Sequence, residues 1–321
     1  MKLAMLGLLV VAAALGISSA AAQQYPTKPV RIVVAFTAGG TTDIMARMLA
    51  QKLTEKFKQP FVIENKPGAG GNLGTEYVVR SPADGYTLII NSVGPMAVNP
   101  TLYKTLSYNP LTDLVPVAQI SDVPNVLVVH PSLNVKDMKG FIAYAKSKPG
   151  ELNYSSTGIG TSSHLSSYML ASRAGFQATH VPYKGAEALK DLLAGRIQFM
   201  FATIPSVIQH IRAGNLTAIA VSSPQRSRSM PDVPTIAESG FPGFEAGSWF
   251  GVFAPRGTPP EIIAVLNKAT NEAIADRALQ ARMIEEGADP SEGTPERFGQ
   301  FVKSEYEKWR VVVKESGAVV D

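Results

Sequence analysis

Two glycine-rich segments carry residue types that can bind a small anion without a metal ion or a charged side chain. Both are rich in hydroxyls and backbone N–H groups, and neither contains Lys, Arg or Cys. They are Phe36-Thr37-Ala38-Gly39-Gly40-Thr41-Thr42-Asp43 and Ser155-Ser156-Thr157-Gly158-Ile159-Gly160-Thr161-Ser162-Ser163. A helix N-terminus supplies unpaired N–H donors and a partial positive charge. Each segment therefore predicts an anion-binding turn, with a purely structural strand-to-helix turn as the alternative.

The first turn is the sharper candidate. Gly39 and Gly40 are expected to adopt positive φ and to let a ligand approach the backbone closely, while Asp43 caps its own helix. In the second turn, His164 is more typical of packing inside its helix than of ligand contact. The full set of predicted ligand-binding residues is Thr37, Ala38, Gly39, Gly40, Thr41, Thr42, Asp43, Ser92, Ser156, Gly158, Gly160, Thr161, Ser162, His164 and Thr203.

Constellations that would indicate catalysis or cofactor binding are absent from the sequence. The four histidines lack metal-ligand spacing, and no Gly-x-Ser-x-Gly nucleophile motif occurs. The second turn is one glycine short of a dinucleotide fingerprint, and no acidic residue follows at the expected distance. The sequence therefore predicts no catalytic residue, no metal ligand and no cofactor.

The elements around these turns alternate between short apolar runs and amphipathic helical patterns. Helices are expected to begin near residues 41, 136, 162, 186, 206, 258 and 294. Strands are predicted at residues 30–36, 61–63, 87–90, 126–129, 152–155, 179–182, 197–202, 216–222 and 249–254. This rhythm predicts an α/β protein with mainly parallel sheets, whose ligands bind at the carboxyl ends of strands. Both turns occupy such ends.

The N-terminus has the pattern of a secretory signal peptide, residues 1–22. Lys2 precedes an apolar stretch over residues 3–17, and Ala20-Ala21-Ala22 offers a cleavage site. The chain has no cysteine, which excludes disulfides, thiol catalysis and a lipidated N-terminal Cys. The formal net charge of +4 is spread along the sequence and predicts no nucleic-acid surface. A free periplasmic protein, cleaved after Ala22, is expected.

Connectors rich in Pro, Gly and Ser divide the chain into two lobes. Residues 23–124 plus 235–321 are predicted to form lobe 1, and residues 125–234 lobe 2. The C-terminal stretch has too little strand for a core of its own, so it is expected to pack back on the N-terminal stretch. The ligand cleft would lie between the lobes.

Several motifs together resemble the substrate-binding proteins of tripartite tricarboxylate transporters, the Bug family. Beyond the first turn they are Val62-Ile63-Glu64-Asn65-Lys66-Pro67-Gly68-Ala69-Gly70-Gly71-Asn72, Pro82-Ala83-Asp84-Gly85-Tyr86, Asn99-Pro100-Thr101-Leu102-Tyr103, Val181-Pro182-Tyr183-Lys184-Gly185 and Ala254-Pro255-Arg256-Gly257-Thr258-Pro259. The resemblance implies a two-lobed periplasmic binding protein that closes around a di-, tri- or aromatic carboxylate. It also implies delivery of that ligand to membrane permease subunits. Two residues depart from the family pattern: Ala38 replaces a usual Pro, and Thr203 replaces a usual acidic or amide residue.

Three functions remain open from the sequence. A monomeric, non-enzymatic receptor for a small organic carboxylate is the leading hypothesis. The alternatives are a sensor subunit that signals to a membrane kinase and a secreted hydrolase on the same scaffold.

Overall fold

The computed structural model describes residues 25–316 and residue 320, and the predicted signal peptide lies outside that part of the chain. Its strands are β1 Val30–Val34, β2 Phe61–Asn65, β3 Thr87–Ser92, β4 Leu114–Val123, β5 Asn125–Val129, β6 Asn153–Ser156, β7 Thr179–Pro182, β8 Phe199–Thr203, β9 Thr217–Val221, β10 Ser248–Pro255 and β11 Asp289–Pro290. Its helices are α1 Thr41–Phe57, α2 Asn72–Val79, α3 Asn99–Leu102, α4 Met138–Ser147, α5 Ser162–Ala174, α6 Glu187–Leu193, α7 Ile204–Arg212, α8 Pro260–Ile274, α9 Arg277–Glu285 and α10 Pro295–Ser316. Within the described residues, no helix is both long and apolar enough to cross a membrane.

The strands form two separate sheets. One has the order β11-β4-β10-β3-β1-β2, and the other has the order β7-β6-β8-β5-β9. The first sheet carries strands from both ends of the chain, and α8 and α10 pack on it through contacts with β4. The expected two-lobed α/β architecture is therefore confirmed.

Strand directions are more mixed than the sequence predicted. The pairings of β1 with β2 and β3, and of β6 with β7 and β8, are parallel. The pairings made by β10, β11 and β5 are antiparallel. The expectation of mainly parallel sheets thus holds only for the pairings that β1 makes with β2 and β3 and that β6 makes with β7 and β8. All residues of β5 and β10 are buried, and a strand buried on both faces has the same apolar pattern whichever way it runs.

Burial of β1 on both faces explains why the first turn has a fixed position. Val30, Ile32 and Val34 pack in one cluster with the apolar stripe of α1, while Val33 packs in another cluster on the opposite face. A strand held on both sides, followed within a few residues by a packed helix, leaves the connecting turn little freedom.

The chain crosses between the sheets at two places. Pro124 alone separates β4 of the first sheet from β5 of the second, so the two strands form nearly one continuous run. The return crossing runs through residues 222–247, from the end of β9 to the start of β10. Two crossings that lie side by side form the arrangement in which lobes rotate about a hinge.

A cavity of about 440 Å³ lies beside these crossings and contains a cluster of carboxylates. Asp122 on β4 lies directly opposite Asp289 on β11. Although Asp122 is an exposed residue, desolvation of its carboxyl by the surrounding protein, followed by the negative charges of Asp289 and Glu305, raises its pKa to about 6. The folded protein therefore binds a proton at Asp122 more tightly than the unfolded chain does. The stability that this proton provides is present at low pH and is lost as the pH rises through 6.

Asp122→Asn is expected to raise the thermal midpoint at pH 7.5 by about 1–2 °C, because it removes a carboxylate that Asp289 and Glu305 repel. At pH 3.5, where the carboxyl is protonated in the folded protein and largely protonated in the unfolded chain, the difference between the two proteins should nearly vanish. Calorimetry at both pH values checks this, with Asp232→Asn at an exposed position as the control. An equal shift at both pH values would show that the effect is not electrostatic.

Candidate functional site

A cavity of about 120 Å³ lies between the two lobes, at the carboxyl ends of β1, β3, β6 and β8. Half of its lining residues are Ser or Thr, and the described lining contains no Lys, Arg, His, Asp or Glu. The lining consists of Phe36, Thr37, Gly39, Gly40, Thr41, Thr42, Ser92, Val93, Gly94, Thr157, Thr161, Ser162, Gly185, Ala186, Leu189, Met200, Thr203, Ser206, Ser248 and Phe250. Any charge on a bound ligand would therefore be met by neutral donors.

The first turn brings the N-terminus of α1 to this cavity. Gly39 has a φ of +81°, as predicted, whereas Gly40 has an extended backbone with a φ of −80°. The expectation of positive φ at Gly40 is wrong, because only one left-handed residue is needed to turn β1 into α1. A Cβ on Gly40 would lie 3.5 Å from the carbonyl oxygen of Thr37, an ordinary contact. The protein backbone therefore leaves room for a Cβ at Gly40, which lines the cavity.

Asp43 belongs to the scaffold of the first turn and does not line the cavity. Its carboxylate accepts hydrogen bonds from the Gly39 N–H at 3.0 Å, from Arg47 at 2.8 and 3.0 Å, and from Asn65 at 3.0 Å. Burial opposes ionisation of this group. The hydrogen bonds from Arg47, Gly39 and Asn65 outweigh burial and hold the pKa of Asp43 below its usual range. Asp43 thus fixes the turn, while Ala38 lies in the same turn without lining the cavity.

The second turn divides its residues between the cavity and the scaffold. Thr157, Thr161 and Ser162 line the cavity, whereas Ser156, Gly158, Gly160 and His164 do not. Ser156 pairs instead with the ring of His180, with 2.7 Å between Oγ and Nε2.

Gly160 is needed where the lobes meet. A Cβ there would lie 2.6 Å from Oδ1 of Asn99, which belongs to α3 in the first lobe. This glycine therefore permits close approach of the two lobes. Its φ of +81° is a second reason for glycine at this position.

A column of stacked rings supports the second turn from below. The rings of His164 and His180 are parallel within 14° at 4.0 Å, and His180 stacks in turn on Tyr154 at 4.9 Å. Nδ1 of His164 accepts the N–H of Gly160 at 3.3 Å. Burial lowers the pKa of His164 to about 4, and burial together with the neighbouring His164 lowers that of His180 to about 3. Both rings are neutral at pH 7 and serve packing.

Thr203 and Ser206 bring a third helix N-terminus, that of α7, to the cavity. Oγ1 of Thr203 lies 2.7 Å from Oγ1 of Thr41, so a hydroxyl pair joins α1 and α7 across the cleft. Nearby, the N–H of Ala186 donates to Oγ1 of Thr37 at 3.2 Å. A Cβ on Gly185 would lie 2.1 Å from the same Thr37 oxygen. These contacts describe a closed arrangement of the lobes.

Several lining residues were not among the predicted set. Most are apolar side chains or lie far from the two turns in sequence: Phe36, Val93, Gly94, Thr157, Gly185, Ala186, Leu189, Met200, Ser206, Ser248 and Phe250. Their common signal is position, because most of them lie at or shortly after the end of a strand or at its start. Aromatic rings from β10 and from the end of β1 give the cavity an apolar wall beside its hydroxyls.

The described residues contain no group of three or more His, Asp or Glu side chains that could hold a metal ion. Hydroxyls and helix N-termini are therefore the polar groups that this cavity offers. Together with two lobes joined by paired crossings, they define the class of two-lobed solute-binding proteins.

Comparison with known proteins identifies the family. The model of the tripartite tricarboxylate transporter family receptor, TctC, matches residues 45–318, and the chain belongs to this family. Protein BugT of Bordetella pertussis is 41% identical over 318 residues, which are 98% of this chain and 97% of BugT.

Two of the similar solved structures are described with a ligand. The R. palustris protein Rpa4515 with adipate is 40% identical, has a TM-score of 0.90, and aligns with 92% of this chain and 99% of its own. MatC from Rhodopseudomonas palustris with bound malate is 34% identical, has a TM-score of 0.85, and aligns with 90% of this chain and 100% of its own.

The stacked histidines predict sensitivity to acid. Because the pKa of each ring is lower in the folded protein than in the unfolded chain, stability is present above pH 6.5 and falls as the pH drops towards 4. His164 alone can contribute a slope of up to about 1.4 kcal/mol per pH unit in this range. His164→Asn keeps an acceptor near the Gly160 N–H and removes the titration, so its stability should decline less between pH 6.5 and 4.

Urea unfolding at intervals across that pH range measures the effect. His210→Asn, at the end of α7 and outside the stack, is the control and should follow the wild-type profile. If His164→Asn and the wild type decline in parallel, the stacked rings are not the source of the acid sensitivity.

Proposed function

We propose that this protein is a periplasmic receptor that binds a small organic carboxylate between its lobes. The observation that carries the proposal is the convergence of three helix N-termini, those of α1, α5 and α7, on one cavity rich in hydroxyls. First-turn N–H groups have no acceptor inside their own helix and favour anions. Family membership supports the same ligand class, because relatives are described with adipate and with malate.

The proposed ligand-contacting residues are the predicted ones that line the cavity: Thr37, Gly39, Gly40, Thr41, Thr42, Ser92, Thr161, Ser162 and Thr203. Phe36, Leu189, Met200 and Phe250 would contact the apolar body of the ligand. One lobe binds first, and closure then adds the donors of the other lobe and expels water. We assign residues 23–124 plus 235–321 to one lobe and residues 125–234 to the other, with export after cleavage of residues 1–22.

The closed, ligand-bound form is proposed to be what a tripartite transporter's membrane permease recognises. A sensor subunit that uses the same cleft is the second candidate, and binding data alone do not separate the two. A hydrolase is disfavoured because the described cavity lining offers no ionisable side chain as a general base.

Isothermal titration with a panel of C4 to C8 dicarboxylates and benzoate-type acids, beginning with adipate and malate, tests the ligand class. Gly40→Val should raise the Kd of the best ligand at least 100-fold, because the side chain fills the space next to the α1 N-terminus. The nearest backbone atom allows a Cβ there, so the thermal midpoint should stay within about 2 °C of wild type.

Gly293→Val is the control for Gly40→Val. Gly293 lies in the first lobe outside the cavity, and its Cβ would meet only the flexible side chain of Arg297. This variant should bind as the wild type does. If no acid in the panel binds to the wild-type protein, the proposed function is wrong. If Gly40→Val keeps wild-type affinity, the first turn is not part of the site.

Ser162 and Ser163 are adjacent in sequence, and their alanine variants distinguish an effect on ligand affinity from an effect on stability. Ser162 lines the cavity, whereas the Ser163 hydroxyl donates to the carbonyl oxygen of Phe201 inside the second lobe. Ser162→Ala should raise the Kd about fivefold, equivalent to about 1 kcal/mol for one hydrogen bond. Ser163→Ala should lower the free energy of unfolding by about 1–2 kcal/mol and leave the Kd unchanged. The reverse pattern, measured by titration and urea unfolding, would contradict the assignment.

A further inference from the structure

We propose that Asn125 is the positioning residue that couples the hinge to the ligand cavity, an inference that rests on the receptor function proposed above. Asn125 is the first residue of β5, directly after the crossing at Pro124, and its side chain is fully buried. It does not line the cavity.

Asn125 joins the two crossings to each other. Its Nδ2 donates to the carbonyl oxygen of Ala246 at 2.8 Å, close to the end of the return crossing. Its backbone N–H donates to Oγ of Ser222 at 2.9 Å, and its carbonyl oxygen accepts the Ser222 N–H at 2.8 Å, at the start of the same crossing. A single residue of the first crossing therefore holds both ends of the second.

The same side chain also reaches the N-terminus of α5. Oγ of Ser162, a cavity residue, lies 3.4 Å from Oδ1 of Asn125. One turn further along α5, Oγ of Ser166 accepts from Nδ2 of Asn125 at 3.1 Å and donates to the Ala246 carbonyl oxygen at 3.0 Å. A ligand that draws the α5 N-terminus towards it thus acts on the residue that fixes the return crossing.

The second cavity-facing helix of this lobe is attached at the same point. The N–H of Ile204, the first residue of α7, donates to the carbonyl oxygen of Pro124 at 3.2 Å. Thr203, which bonds to Thr41 across the cleft, is the cross-strand partner of Asn125. The N-termini of α5 and α7, two of those that lobe 2 presents to the cavity, are therefore both attached to the Pro124-Asn125 pair.

Only a primary amide satisfies all of these partners. Oδ1 accepts while Nδ2 supplies two donors, so Asn125 serves Ser162, Ser166 and Ala246 at once. A carboxylate lacks the donors, and an aliphatic residue lacks both kinds of group. Loss of the amide leaves the Ala246 carbonyl oxygen with the Ser166 hydroxyl as its donor and takes away the donor to Ser166. Because the site is buried, these lost bonds are not exchanged for bonds to water.

The experiment compares Asn125 with a second asparagine that makes similar bonds away from the hinge. Nδ2 of Asn267 on α8 donates to the carbonyl oxygens of Val117 and Gly293, both at 2.8 Å. Asn125→Ala and Asn267→Ala should each lower stability in urea unfolding. Only Asn125→Ala should raise the Kd for adipate at least tenfold, and only Asn125→Ala should enlarge the radius of gyration of the ligand-free protein in X-ray scattering.

Ser166→Ala keeps the test decisive if Asn125→Ala does not fold. Asn125→Asp is a harsher variant, because it places a carboxylate beside the Ala246 carbonyl oxygen in a buried site. Asn125→Asp retains the acceptor for Ser162 and loses the donors, and Ser166→Ala removes one partner without touching the cavity. Asn125→Asp should reproduce the tenfold loss, and Ser166→Ala should give a loss of about threefold. A purely structural role for Asn125 predicts lower stability with the Kd and the scattering profile unchanged.

Different results would contradict the proposed receptor function and the coupling role of Asn125. If the wild type binds neither adipate nor any other acid in the panel, the receptor function is wrong, and the scattering of the ligand-free variants still tests the hinge. If the wild type binds but Asn125→Asp and Ser166→Ala match it in both Kd and radius of gyration, the coupling role of Asn125 is wrong. Equal loss of affinity in Asn267→Ala would also overturn it.

Discussion

An α-helix leaves its first N–H groups without acceptors, and this constraint organises the structure around the cleft. Helices α1, α5 and α7 each follow a strand and begin at the same cavity. In a closed cleft these donors lose water and need another acceptor, since a buried unpaired N–H is costly. Neighbouring hydroxyls satisfy only part of this need. The remainder makes an anionic oxygen a suitable partner for the cavity, even though its described lining contains no cation.

Closure also depends on how near the backbones of the two lobes can come. Glycines are required at several contacts between the lobes, among them Gly160 against Asn99 and Gly185 against Thr37, because a Cβ at either place would overlap the opposite lobe. Both have positive φ, which glycine adopts without strain. In the second turn, Gly160 thus serves contact between the lobes, while Thr157, Thr161 and Ser162 line the cavity. Within this one loop, the glycine provides the unusual backbone conformation, and the hydroxyl residues provide hydrogen-bond donors.

The local sequence pattern was sufficient to predict some features of the structure and insufficient to predict others. The strand-to-helix turn with Gly39 was predictable, because capping and positive φ depend on neighbours in sequence. Strand direction was not, because the buried runs of β5 and β10 look alike in either orientation. Phe250 and Gly185 reach the cavity only through the crossing of distant segments. The scaffold role of Asp43 was predictable only in part, because Gly39 and Arg47 are near it in sequence whereas Asn65 reaches it only in the folded lobe.

For the proposed receptor, the weakness of the closing contacts is itself functional. The hydroxyl pair of Thr41 and Thr203 and the bond from Ala186 to Thr37 are neutral hydrogen bonds, each worth about 1 kcal/mol. Such bonds favour the closed form only weakly and do not by themselves hold the lobes together. A ligand can shift the balance between the open and closed forms only by its difference in affinity for the two forms. Donors that converge only on closure supply this difference, and the absence of a fixed cation in the described lining keeps release possible.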